Sequence, residues 1–183
     1  MQDNPARHLR VRGTGDARAP FFTDQDEQRL LFELSQMSNK NHLRLTKLAL
    51  TTGFRRSELL SLTWRNIDLK KKLLYICRKN CAATDNASVM RLVPLPEQAE
   101  KILEESNERN GKVIELSKGA ARNGFDKARK RAGLQTLRFH DLRHIAISRM
   151  WSSGMNALEI SACSGHRDIK MLMRYSHYEL SLL

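Results

Sequence analysis

Glycines at 53, 133, 154 and 165 each stand directly behind a stretch in which apolar side chains recur at helical spacing. They divide much of the chain into short helices and exclude any long continuous one. Gly53 shows the logic. Leu43, Leu45, Leu48 and Leu50 give residues 40–52 a buried face, and a glycine is the natural residue where the chain must turn left-handed to leave a helix.

Taken in order, Thr23 followed by Asp24, Asp26 and Glu27 starts a helix that the pattern carries to about residue 38. Behind Gly53, residues 54–60 restart a short helix with Arg55 at its leading end. Residues 72–77 and 91–95 are short runs rich in Leu, Ile and Val, and they read as two strands of a small antiparallel sheet joined by a polar connection. Pro96 opens a helix to about residue 108, residues 111–116 suit a short strand, and residues 120–132 form a basic helix. Residues 136–153 read as the helix bearing His140 and Arg143. Asn156 with Glu159 caps a following helix expected to bury Leu158 and Ile160, and Asp168 starts a last one containing Tyr175. The fold class is therefore α+β, mainly α-helical, with a small antiparallel sheet. One domain spans 21–183 behind a basic linker or arm at 1–20, which holds too few large apolar groups to fold alone.

Thirty-two Lys and Arg against twenty Asp and Glu give a formal charge of +12, which favours a polyanionic partner such as DNA, RNA or acidic lipid. No apolar run approaches the ~18 residues that a membrane span needs, and the polar, basic start has no secretory character. A cytoplasmic protein is expected. Three cysteines, Cys77, Cys81 and Cys163, are expected to be reduced thiols, with no zinc site among them.

Arg55, Lys79, His140, Arg143, His166 and Tyr175 together suit transfer of a phosphodiester to a protein hydroxyl. Guanidinium forks match the non-bridging oxygens of a phosphate under attack, so Arg55 and Arg143 form a clamp. A phenol is mostly protonated at neutral pH and needs a base or a cationic field to attack, a role for His140. A leaving oxygen needs a proton, which Lys79, in the loop after the first of these strands, could deliver; Arg78 competes for that place. Tyr178, three residues on, competes with Tyr175 as nucleophile. Arginines can supply the charge that a metal supplies elsewhere, and no carboxylate cluster of metal-site type stands out, so neither metal nor other cofactor is expected.

Four motifs carry a resemblance: TGFRRSELLSLTW with Arg55 and Glu58, HDLRH with His140 and Arg143, GH with His166, and MRYSH with Tyr175. With twenty-three residues from Arg143 to His166 and nine from His166 to Tyr175, residues 21–180 resemble the catalytic domain of the tyrosine recombinases, or phage-type integrases. That resemblance implies a site-specific recombinase in which Tyr175 attacks the scissile phosphate, leaving a 3′-phosphotyrosyl link and a free 5′ hydroxyl. Arg55 and Arg143 would bind the phosphate, His140 and His166 would assist by hydrogen bonding and proton transfer, Lys79 would be the general acid, and Glu58 would order the site from behind. It also implies double-stranded DNA as partner and a homo-oligomer, a tetramer, assembled on it in the nucleoid. The core-binding domain usual in the family is not expected within these residues, whose basic arm resembles the linker that normally joins it, so a fragment of a longer protein is expected; Ser164 replaces an apolar residue, which is expected to loosen its helix. A catalytically silent DNA-binding module and a relaxing enzyme of the type IB topoisomerase kind are the competing readings.

Overall fold

The computed structural model describes residues 22–77, 90–106, 109–166 and 168–172. The expectations for the arm at 1–20, for Lys79 and its loop, and for Tyr175 and its helix fall outside the described residues. Among the described residues seven helices and three strands follow one another: α1 (Asp24–Ser35), α2 (Asn41–Thr52), α3 (Arg56–Ser61), β1 (Ile67–Asp68), β2 (Leu73–Cys77), β3 (Met90–Pro94), α4 (Glu97–Glu104), α5 (Lys118–Arg131), α6 (Asp141–Ser152) and α7 (Ala157–Ser164). A 3₁₀ turn, Ile169–Met171, follows α7.

Thr23 and Asp26 cap α1 reciprocally: the Asp26 amide donates to the Thr23 hydroxyl at 3.1 Å, and the Thr23 amide donates to the Asp26 carboxylate at 2.9 Å. Leu30 and Leu34 of this helix are completely buried. Helix α2 lies at the centre, packed against α1, α4, α5 and α6, and seven of its twelve residues are buried. A helix enclosed on so many sides cannot keep one polar face, which explains why Thr46, Thr52 and His42 are buried with the leucines. Gly53 ends α2 at φ 64°, as expected, and its backbone passes against Ala146 and Ile147 of α6.

The sheet has the order β1-β2-β3, antiparallel throughout, with Leu74 opposite Val93, Tyr75 opposite Leu92 and Ile76 opposite Arg91. Leu74, Ile76, Val93 and Arg91 face inward; Tyr75 and Leu92 face out.

Several boundaries correct the sequence reading. α1 ends at Ser35 and α4 at Glu104, short of the expected 38 and 108. Residues 111–116 are no strand. They touch the segment before the sheet through one bridge, Thr63 to Lys112, and both Val113 and Ile114 are buried, an arrangement that alternation does not produce. Strand β1 is two residues long, too short to leave a periodic signal. α6 begins at Asp141, because the Asp141 carboxylate takes the Arg138 amide at 2.7 Å and holds the preceding residues in a turn. Leu158 is 68% exposed rather than buried, on the outer side of a helix whose inner side is Ile160. Cys77 is disulfide-bonded, which corrects the expectation of three reduced thiols. An odd count and a polar N-terminus bear on the compartment, and neither decides whether two thiols stand within reach of one another. Cys163 is a free, buried thiol.

One close approach sets the position of α5 against α2. The His42 ring lies over Gly124, so a Cβ there would overlap the imidazole, with even the far nitrogen, Nε2, only 2.8 Å away. Burial holds His42 below the ordinary imidazole range, and the ring is enclosed between the two helices. Gly124→Ala would gain about 1 kcal/mol of helix propensity. Overpacking of this kind costs about 1–3 kcal/mol and more when a rigid ring is struck. A net loss of about 1–2 kcal/mol is expected by urea denaturation, and a variant as stable as the parent would show that His42 can step aside.

Candidate functional site

The site is assembled where α3, α6 and the C-terminal end of α7 converge on β3. Arg55 is the N-cap of α3, in extended conformation at φ −67° and ψ 146°. Its amide donates to Glu58 Oε2 at 2.8 Å and its Nη1 donates to Glu58 Oε1 at 3.1 Å, so one carboxylate holds both the backbone and the guanidinium. The Arg55 side chain remains 43% exposed, which leaves it open to an incoming anion. Glu58 is itself buried.

Arg143, in the first turn of α6, is only 4% exposed. Its Nη1 donates at 2.7 Å to the carbonyl oxygen of Gly53, the residue that turns the chain out of α2. Its Nη2 stands 3.2 Å from His166 Nε2 and 3.3 Å from Nδ1. A buried guanidinium so tied to a main-chain carbonyl has a fixed plane, which suits oriented contact with a phosphate.

His140 is the N-cap of α6 rather than a residue within it, and its ring meets that of His144 edge-on, with centroids 5.0 Å apart. His140 is held below the ordinary imidazole range, first by desolvation against the surrounding chain and then by Arg143. His144 is lowered too, by burial and then by His140. His166 follows Gly165, the left-handed residue that ends α7 at φ 73°. Burial, followed by Arg143, Arg55, His144 and Arg91, pushes His166 down to about 4. At neutral pH these three rings are uncharged, so each can accept a proton or a hydrogen bond.

Of the residues singled out in the sequence, the structure brings together Arg55, Glu58, Arg143 and His166, with His140 close enough to feel both arginines. Lys79 and Tyr175 lie outside the described residues. Ser164 corrects its expectation: it is completely buried, donates to the Ile160 carbonyl at 2.6 Å and meets His166 Nδ1 at 2.7 Å, so it ties the end of α7 down.

Sequence reasoning missed Arg91. This β3 residue is 7% exposed, and its Nη2 donates to Glu58 Oε2 at 3.2 Å. Its Nη1 donates to the carbonyls of Ala162, at 3.1 Å, and Cys163, while the guanidinium lies 5.0 Å from the centre of the Phe54 ring. A Cβ on Gly165 would stand 2.8 Å from its guanidinium carbon. Arg91 thereby joins the carboxylate behind Arg55 to the turn that presents His166. The signal was available: in RLVPL, Arg91 shares the strand face of Val93 and Leu95, both of them core residues.

Residues 20–180 match the model of the phage integrase family, and the chain belongs to that family. It is 34% identical over 180 residues to a shufflon-specific DNA recombinase of Escherichia coli, an alignment covering 95% of this chain and 44% of that one. Among solved structures it is similar to the catalytic domain of the bacteriophage HP1 integrase, at a TM-score of 0.69 and 25% identity over 86% of this chain and 87% of that one. The fold also resembles that of the XerH site-specific recombinase bound to difH substrate, at a TM-score of 0.64 and 19% identity over 89% of this chain and 52% of that one. The chain spans less than half the length of the shufflon recombinase.

Proposed function

We propose that this chain is the catalytic domain of a site-specific DNA recombinase, cleaving and rejoining DNA through a 3′-phosphotyrosyl intermediate. The observation that supports this best is the convergence of Arg55, Arg143 and His166 from three separate elements around one space. Two guanidiniums, one exposed and one fixed, would bind the non-bridging oxygens of the scissile phosphate and stabilise the charge that grows there. His140, uncharged at neutral pH, would take the proton of the Tyr175 phenol as that oxygen attacks phosphorus. The bond to the 5′ oxygen breaks, and Lys79 would give that oxygen its proton. Rejoining is the reverse, with another 5′ hydroxyl attacking the phosphotyrosine. Glu58 acts through Arg55, whose two groups it holds. These residues need no metal for charge neutralisation.

The partner is double-stranded DNA, in keeping with the +12 charge. A homo-oligomer on DNA, a tetramer in which two pairs of strands exchange, is the assembly this chemistry calls for. No helix among the described residues is long and apolar enough to cross a membrane. We place the protein in the cytoplasm, at the nucleoid when bound.

A suicide duplex built from the DNA flanking the gene, nicked beside the cleavage point so that the short product diffuses away, tests the reading. The expected outcome is a covalent adduct stable to denaturant, which peptide mapping places on Tyr175. Attachment at Tyr178 would overturn the nucleophile. Binding without any adduct would favour a silent DNA-binding module. Relaxation of supercoiled plasmids of arbitrary sequence would favour a topoisomerase.

A further inference from the structure

Ser164 has one proton and two acceptor sites on its hydroxyl, and its two neighbours decide how they are used. The Ile160 carbonyl, one helical turn back, can only accept, and Ser164 Oγ lies 2.6 Å from it, the usual arrangement for a serine inside a helix. With its proton committed there, the Ser164 oxygen can only accept from His166 Nδ1, 2.7 Å away. Nδ1 must therefore carry the ring proton, which leaves Nε2 with a lone pair. Arg143 Nη2 stands 3.2 Å from Nε2 and 3.3 Å from Nδ1, so the guanidinium rests against the ring near both nitrogens. The directed bonds therefore run from His166 Nδ1 to Ser164 and from Ser164 to the Ile160 carbonyl, with Arg143, held by the Gly53 carbonyl, resting against the same ring.

We propose that Ser164 is a positioning residue that fixes His166 in the Nδ1–H tautomer and so holds the orientation of the ring against which the Arg143 guanidinium rests before DNA arrives. Ser164 is completely buried and acts through His166. The opposite tautomer would leave the Ser164 oxygen and a bare Nδ1 facing each other with no proton between them, and the ring would turn. The surroundings favour the neutral ring on which this depends. Arg143 and His144 of α6, Arg55 ahead of α3 and Arg91 of β3 all face His166, and each opposes a positive charge there. The Ser161 hydroxyl donates to the His166 carbonyl at 2.8 Å and holds its backbone, so Ser164 is left to determine the ring.

The mechanical part of this proposal rests on the recombinase reading; the tautomer does not. The full 183-residue chain, labelled with ¹⁵N-histidine, would be examined by long-range ¹H–¹⁵N correlation at pH 7.5 without DNA. His166 is expected to show a protonated Nδ1 and an unprotonated Nε2. A dominant Nε2–H form in the parent protein would overturn the proposal, whatever any variant does. In Ser164→Ala the preference should collapse to a mixture, and Ser164→Thr, which keeps a hydroxyl, should restore it. An unchanged tautomer in a folded Ser164→Ala would equally overturn it. Single-turnover cleavage of the suicide duplex should fall about tenfold in Ser164→Ala, roughly the value of one hydrogen bond between neutral groups, and return in Ser164→Thr. No cleavage by the parent protein would count against the recombinase reading while the tautomer measurement still decides the present one.

Discussion

Arg143→Lys should leave a folded protein that binds DNA and cleaves it about a hundred to a thousand times more slowly. The guanidinium has two parts already engaged, Nη1 on the Gly53 carbonyl at 2.7 Å and Nη2 at His166, and these contacts hold the plane in which it would meet a phosphate. An ammonium keeps the charge but is a point donor on a flexible stem, and it cannot satisfy two partners at fixed angles while facing a third. Charge-assisted hydrogen bonds contribute about 1.5–3 kcal/mol each. Losing the oriented pair in the transition state therefore costs about 3–4 kcal/mol, at 1.36 kcal/mol per tenfold in rate. At 4% exposure the lysine would also be pressed toward its neutral form, which adds to the loss. Filter binding to the same duplex should change far less, because the other thirty-one basic residues remain. The comparison is single-turnover cleavage against binding, with a thermal melt to show folding. Cleavage within about threefold of the parent would mean that the fork does not hold the phosphate.

Much of this arrangement was legible in the sequence because its signals are local. Arg55 and Glu58 are three apart, and the structure uses that spacing: the Glu58 carboxylate accepts from both the Arg55 amide and its guanidinium at the start of α3. Gly53 and Gly165 marked the helix ends from which the Gly53 carbonyl and His166 are presented. What escaped depends on which strand faces which. Alternation alone puts Arg91 on the face of Val93 and Leu95, but only the pairing of β3 with β2 and the packing of α3 and α7 show that Glu58 and the α7 carbonyls await it there. Ser164 was misread for a related reason. A hydroxyl in place of an apolar side chain weakens a helix packed only against carbon, yet here the space beside it is filled by the His166 ring, which supplies a partner. The start of α6 was placed too early because Leu137 continues the apolar spacing. It is buried, but in the turn that the Asp141 carboxylate holds rather than in the helix.

Glu58→Ala should cost about 3–5 kcal/mol of stability, the usual penalty for breaking a buried ion pair by removing one partner. Three donors converge on this carboxylate: the Arg55 amide, Arg55 Nη1 and Arg91 Nη2, at 2.8, 3.1 and 3.2 Å. Arg55 can turn to solvent when the carboxylate is gone, and its share of the loss is small. Arg91 cannot. It is 7% exposed, and burial weighs against its charge first, with Glu58 as the main influence in its favour. Without Glu58 it keeps the carbonyls of Ala162 and Cys163 and the face of Phe54, but no anion. Glu58→Gln should cost about half as much, because an amide oxygen still accepts while the charge is lost. The decisive comparison is the double variant Glu58→Ala with Arg91→Met, which removes both charges. If the pair is coupled as the geometry indicates, the double variant should be more stable than the sum of the single effects by about 1–3 kcal/mol. Urea denaturation of the four proteins completes the cycle. Strict additivity, or a loss below about 1 kcal/mol for Glu58→Ala alone, would mean that the carboxylate is dispensable to the fold. The support of Arg55 would then have to come from elsewhere.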